Sequence, residues 1–164
     1  MKGKLYYHQA GSPVGPLLLL ATDRGLSGLL MEDHIHGPMR HPDWIRDEAR
    51  FAGTCRQLDA YFLGRLRSFD LPLDLHGQGT PFQHRVWQAL REIPFGETIS
   101  YGEQALRIGN PMASRAVGLA NGRNPISIII PCHRVVGKNG SLTGYGGGLD
   151  RKRYLLDFEE GFRI

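Results

Sequence analysis

Two apolar runs, at 17–21 and 26–31, flank the polar tetrad Thr22-Asp23-Arg24-Gly25. Short apolar runs joined by a glycine-bearing turn predict a strand hairpin. A loop follows to about Pro42. Phe51, Cys55, Leu58 and Phe62 then recur at helical spacing within 47–63, which predicts an amphipathic helix with the Cys55 thiol buried in the core. Residues 68–75 switch to alternation, with Phe69, Leu71, Leu73 and Leu75 at every second position, and predict a strand. This half reads as a small α+β unit. Gly77-Gln78-Gly79 interrupts the pattern and divides the chain into 1–77 and 78–164.

The second half opens on a helix start signal. Thr80 suits the N-cap, Pro81 the first helical position, and Gln83 completes a capping box. Phe82, Val86, Leu90 and Ile93 form one apolar stripe, which Pro94-Phe95-Gly96 ends. Ser100 and Glu103 repeat the capping-box pattern before a short helix at about 101–108, stopped by Gly109-Asn110-Pro111. Another helix is expected at about 112–121, closed by Gly122. Two short helices with a glycine turn between them fit a DNA-binding helix-turn-helix or an ordinary helical hairpin equally well. The second helix is rich in small residues (Ala113, Ser114, Ala116, Gly118, Ala120), with Arg115 as its one long cation. Further on, 127–130 predicts a buried strand. Val135-Val136 and Ser141-Leu142 flank an Asn139-Gly140 turn that resembles the wing of a winged helix. A last helix is expected at about 149–160.

Composition narrows the class. The chain has 164 residues and 41% hydrophobic content, enough for a globular core. Lys2 and Lys4 are followed by no long apolar segment, so a cytoplasmic protein with no membrane contact is expected. There are two cysteines, Cys55 and Cys132, and no C-x-x-C pair, which excludes a disulfide framework or a zinc knuckle. His34, His36 and His41 share a loop with no cysteine or acidic set at ligand spacing, so no metal site is expected.

Charge placement changes the picture more. The net charge is +4. Residues 1–77 carry nine basic and nine acidic side chains, and 78–164 carry eleven and seven. No acid occurs from Gln104 to Leu149, a stretch that contains Arg107, Arg115, Arg123, Arg134 and Lys138. Cations threaded along glycine-rich turns suit a nucleic-acid backbone.

Inside that stretch stands Pro131-Cys132-His133-Arg134-Val135. A thiol beside a base is a candidate nucleophile. In a strand the two side chains point to opposite faces, so they meet only if the chain turns at Cys132. The Asn124 amide can tie such a turn, and Glu159 or Glu160 can orient the histidine. By spacing alone, a buried structural thiol is the competing reading.

Seven segments, in order, extend this reading. They are Gly79-Thr80-Pro81-Phe82-Gln83, Val86-Trp87, Ser100-Tyr101-Gly102, Arg115-Ala116-Val117-Gly118, Asn124-Pro125-Ile126, Pro131-Cys132-His133-Arg134-Val135-Val136 and Leu142-Thr143-Gly144-Tyr145. Together they resemble the methylated-DNA–protein-cysteine methyltransferases, or O6-alkylguanine-DNA alkyltransferases. The first half agrees more loosely, in Ser12-Pro13-Val14-Gly15 and Tyr61-Phe62.

The resemblance implies a ribonuclease-H-like α+β N-terminal domain followed by a mostly helical winged helix-turn-helix domain. It implies duplex DNA carrying alkylated guanine as the partner, entered from the minor groove, with the damaged base flipped towards Cys132. Cys132 would accept the alkyl group from O6-alkylguanine, and more weakly from O4-alkylthymine. His133 would take the thiol proton through a water, Glu159 would polarise His133, and Asn124 would brace the turn. Tyr101 would assist flipping and bind guanine. Arg115 would fill the gap in the base stack, with Ala116, Gly118, Asn121 and Arg134 completing the DNA contacts. The Val135 carbonyl and the Tyr145-Gly146 backbone would line the guanine pocket. The product would be a thioether, hence one turnover per molecule, with no cofactor and a monomeric protein. The chain departs from some relatives in having Gly146 where they carry a serine, and in lacking structural zinc ligands. The rival readings are a lesion-binding relative without transfer activity, a Cys-His hydrolase, and a plain winged-helix regulator. In the lesion-binding relatives the cysteine is replaced, whereas here Cys132 is present.

Overall fold

Four strands, β1 (Tyr6–Ala10), β2 (Leu17–Thr22), β3 (Gly25–Met31) and β4 (Ile45–Arg46), form a sheet in the order β3-β2-β1-β4. The computed structural model describes residues 3–32 and 41–162, so His34 and His36 lie outside the described residues. The hairpin of β2 and β3 forms as the apolar pattern predicts, and Leu17, Leu19 and Leu29 are inaccessible to solvent. β1 and β4 are additions. β1 is Tyr-Tyr-His-Gln-Ala, held by its antiparallel ladder to β2 rather than by an apolar run of its own. β4 is two exposed residues paired parallel to β1.

Helix α1 (Ala52–Phe62) follows a single 3-10 turn at Ala49–Phe51. Its buried stripe runs through Phe51, Thr54, Leu58 and Tyr61, offset from the stripe the sequence suggests. Cys55 therefore sits at the flank of the core, only partly buried, which corrects the expectation of a core thiol. Residues 68–75 correct another expectation. Phe69, Leu71, Leu73 and Leu75 do turn inward, yet the backbone of the segment pairs with the sheet at one bridge, Leu26 to Leu73. The pairing consists of two bonds, Leu26 N–H to Pro72 C=O and Asp74 N–H to Leu26 C=O; Pro72 has no N–H to extend it backwards, and the His76 N–H that would extend it forwards goes to Asp74 Oδ1.

The second half is built of short helices. In α2 (Pro81–Leu90) both arms of the Thr80–Gln83 capping box form. Strand β5 (Ile99–Ser100) leads into α3 (Tyr101–Arg107), whose Ser100 cap accepts from the Glu103 N–H. Only that half of the expected box is made, because the Glu103 carboxylate pairs with Arg107 one turn on. Helix α4 (Ser114–Gly122) packs on α3 and α2, and the Trp87 indole donates to the Ala120 carbonyl at 2.8 Å. After a 3-10 turn at Cys132–Arg134 come β6 (Val135–Val136) and α5 (Leu149–Gly161).

Two expectations fail in this half. Residues 127–130 form a buried turn rather than a strand, with one bridge from Ile126 to Leu29 of β3. Ile128 has φ of 72°, an unfavourable conformation for a β-branched residue that costs about 1–3 kcal/mol. The full burial of Ile126, Ile128 and Ile130 offsets that strain. The proposed wing is also incomplete. Asn139 and Gly140 do take positive φ, 72° and 78°, and Gly137 N–H reaches Ser141 C=O at 2.7 Å. But β6 pairs in parallel with β5, and no ladder joins it to 141–142.

Candidate active site

The turn that the Cys-His reading requires is present. Pro131 brings the chain into the 3-10 turn, and Cys132, His133 and Arg134 are all buried on it. Asn124 holds the preceding bend with its whole amide. Its Nδ2 donates to the Ile130 carbonyl at 2.7 Å and to Cys132 Sγ at 3.2 Å, while Oδ1 accepts from Ile126 N–H at 2.9 Å. Leu29 N–H to Pro125 C=O and Ser127 N–H to Leu29 C=O tie the same bend to β3. Burial pushes the Cys132 thiol above its usual value, and the Asn124 N–H and the Lys152 charge pull the other way. The resting group is a thiol.

Behind it lies a saturated carboxylate. Glu159 Oε2 accepts from His133 Nε2 at 2.6 Å, from the Tyr61 hydroxyl at 2.6 Å and from Arg134 Nη2 at 3.1 Å. Oε1 accepts from Arg134 Nε at 2.8 Å and from Gly96 N–H at 3.2 Å. Arg134 also donates to the Ile93 carbonyl. Burial works to raise the Glu159 carboxyl, but His133 and Arg134 hold it well below the usual carboxylate range. Burial lowers His133, against the pull of Glu159, and keeps the imidazole neutral. With a carboxylate accepting from Nε2, the proton of the neutral ring sits on Nε2 and Nδ1 carries a lone pair. Nδ1 has no hydrogen-bond partner among the described residues. Of the two glutamates offered by the sequence, the structure engages Glu159 and leaves Glu160 exposed.

A second polar group gathers at Thr143. The Tyr101 hydroxyl donates to the Thr143 carbonyl and accepts from Thr143 Oγ1, both at 3.1 Å. Lys152 Nζ donates to the same carbonyl at 2.9 Å and lies 5.8 Å from the centre of the Tyr101 ring. Burial pulls Lys152 down to about 8. Sequence reasoning missed Lys152. A lysine on a helix dense in charge reads as solvated, and only its complete burial marks it out.

The expected DNA contacts divide. Arg115 and Ala116 are exposed on α4, beside Leu119 and Arg123. Gly118 instead faces the Tyr101 ring, where a Cβ would lie 3.5 Å from the ring edge. Asn121 is buried and exchanges two hydrogen bonds with Gln104, at 2.8 and 3.0 Å. Arg134 belongs to Glu159. Asn121 and Arg134 are therefore buried and engaged inside the protein rather than presented on the surface, which corrects the expectation that they contact DNA. Val135 and Tyr145 share the core with Cys132, and Gly146 is buried. Among the described residues no cluster of His, Cys, Asp and Glu is arranged to hold a metal, and no helix is long and apolar enough to cross a membrane.

A family model described as 6-O-methylguanine DNA methyltransferase, DNA binding domain, matches residues 81–161. The ribonuclease-like domain of 6-O-methylguanine DNA methyltransferase matches residues 5–75. The chain is 54% identical over 156 residues to a methylated-DNA–protein-cysteine methyltransferase of Mycobacterium tuberculosis, covering 95% of this chain and 93% of that protein. It is 54% identical over 159 residues to a protein of the same name from Methanosarcina barkeri, covering 95% and 98%. A crystal structure of Mycobacterium tuberculosis OGT in complex with DNA matches it with a TM-score of 0.89 at 52% identity, covering 96% of this chain and 94% of that one.

Proposed function

This chain belongs to the methylated-DNA–protein-cysteine methyltransferase family, and from that premise we propose that Cys132 is its alkyl acceptor. The protein is a DNA-repair methyltransferase that moves the alkyl group of O6-alkylguanine in DNA onto a cysteine of its own. The observation that carries the assignment is the 2.6 Å bond from His133 Nε2 to Glu159, which leaves Nδ1 as a proton acceptor on the turn that bears the thiol.

The step is a displacement at carbon. The sulfur–carbon bond forms as the O6–carbon bond breaks, and the bonding pair leaves with the guanine oxygen. The thiol proton passes through a water to His133 Nδ1 and is finally returned to the departing guanine. Ionisation contributes only part of the rate. A cysteine near ~8.5 is about 3% ionised at pH 7, so full ionisation gives at most about thirtyfold, less the nucleophilicity lost as the pKa falls. Burial raises Cys132 further, so deprotonation is coupled to attack rather than completed beforehand. In-line placement and stabilisation of the leaving oxygen supply the rest. Asn124 contributes placement, because one amide sets both the bend and the sulfur.

DNA approaches on the α4 face. Arg115 enters the base stack from the minor groove and offsets part of the cost of eversion, while Ala116 permits close approach. Tyr101 assists eversion and binds guanine, and the Val135 carbonyl and Tyr145-Gly146 line its pocket. The product is a thioether that water does not cleave, so each molecule acts once, on alkylguanine and more weakly on O4-alkylthymine. The domains divide between 77 and 78, where Gly77 and Gly79 both take positive φ. A cytoplasmic monomer completes the reading.

The test is intact mass after incubation with a duplex bearing one O6-methylguanine. One added methyl group per chain is expected, none in Cys132→Ser, and no repair beyond stoichiometric uptake. Methylation at Cys55, or repeated turnover, refutes it.

A further inference from the structure

Among the described residues the Tyr61 phenol is the one donor to Glu159 that comes from the N-terminal half, and it is completely buried. Four aromatic rings surround it: Phe62 at 5.0 Å, Phe158 at 5.4 Å, Phe69 at 5.5 Å and Phe95 at 5.8 Å between centroids. Phenylalanine would fill that cluster equally well. A hydroxyl placed in apolar surroundings is costly unless it meets an acceptor. This one meets the oxygen that also holds His133 Nε2, at the same 2.6 Å.

We propose that Tyr61 is a positioning residue for alkyl transfer: its hydroxyl fixes the Glu159 carboxylate and limits how strongly that carboxylate draws a proton onto His133. The inference rests on the Cys132-His133-Glu159 reading above. A donor on Oε2 withdraws charge from the oxygen that stabilises the imidazolium. Without it Glu159 pulls harder, and His133 stays protonated, unable to accept from the thiol, up to a higher pH. The other groups around the pair are Arg134 on the turn, Gly96 N–H from the loop after α2, Lys152 on α5, and Cys132 and Tyr145. All of them remain when Tyr61 is changed. The N-terminal half thus acts on the chemistry through one hydroxyl, beyond its structural support.

The experiment is single-turnover methyl transfer from saturating O6-methylguanine duplex as a function of pH, in wild type, Tyr61→Phe and Phe62→Leu. A charge-assisted hydrogen bond on this carboxylate corresponds to a rise of about one unit in the midpoint of the acid limb for Tyr61→Phe. Phe62→Leu disturbs the same ring cluster and is expected to lower the melting temperature without moving the midpoint. Superimposed wild-type and Tyr61→Phe profiles overturn the inference, as does an equal shift in Phe62→Leu. Wild-type methylation away from Cys132 instead overturns the underlying reading, whatever Tyr61→Phe does. The wild-type chain gives a second measurement that needs no variant. In proton NMR the Tyr61 hydroxyl proton should be protected from exchange and show a cross-peak to the His133 Nε2 proton. A rapidly exchanging hydroxyl also refutes the proposal.

Discussion

Arg115 and Arg134 lie in the same acid-free stretch of chain and occupy opposite environments. Arg115 stands exposed on the outer face of α4. Arg134 is 5% exposed, with its fork closed on Glu159 and a further donor on the Ile93 carbonyl. Lys152 is a third case, completely buried yet paired with a carbonyl rather than a carboxylate. A cation's role depends on what the fold delivers to it. Glu159 reaches Arg134 from α5, whereas among the described residues no carboxylate pairs with Arg115 on the α4 face. The basic surface is therefore smaller than the charge pattern suggests, and one of its supposed members is internal scaffolding for the site.

The comparison can be broken in three ways. The largest effect is expected at Arg134. Arg134→Ala leaves an ionised carboxylate buried without its fixed counter-charge, which costs about 3–5 kcal/mol. Urea unfolding should show that loss, together with collapse of methyl transfer. A variant as stable as wild type would mean that Glu159 does not depend on Arg134.

Lys152 should give a smaller, pH-dependent effect. Its folded value of about 8 lies below the ordinary 10.5, so between those limits the unfolded chain binds more protons. Stability should then rise with pH across about 8 to 10.5, and this increment should vanish in Lys152→Met. Parallel unfolding curves for the two proteins over that range would show that the buried ammonium is not destabilised.

The smallest change in stability belongs to Arg115. Arg115→Ala should stay within about 0.5 kcal/mol of wild type on unfolding. Its effect should appear only with duplex substrate, as a roughly tenfold slower transfer from everted guanine. If Arg115→Ala destabilises the protein as Arg134→Ala does, the contrast between the two arginines is lost.

What was legible in the sequence was mainly local. The β2–β3 hairpin and the α2 cap could be read because neighbouring residues make their bonds. β1 was missed because its support is a ladder to β2 rather than an apolar pattern. Alternation at 68–75 correctly marks inward-facing residues but does not guarantee a ladder, and Pro72 cuts short the one that begins. The isoleucine run at 128–130 reads as a strand by composition, yet it folds as a strained turn, because Asn124 must close over Cys132.

The sequence alone determined that a thiol and an imidazole would be adjacent inside a cationic stretch, and that α2 and α3 begin at Pro81 and Tyr101, behind their Thr80 and Ser100 caps. Those are properties of near neighbours along the chain. Only the tertiary structure decided that Tyr61 shares the Glu159 oxygen that holds His133, that Lys152 is buried, and that Arg134 and Asn121 turn inward. Each of those outcomes depends on a donor and an acceptor far apart in sequence meeting away from water, where an unpaired partner is too costly to leave.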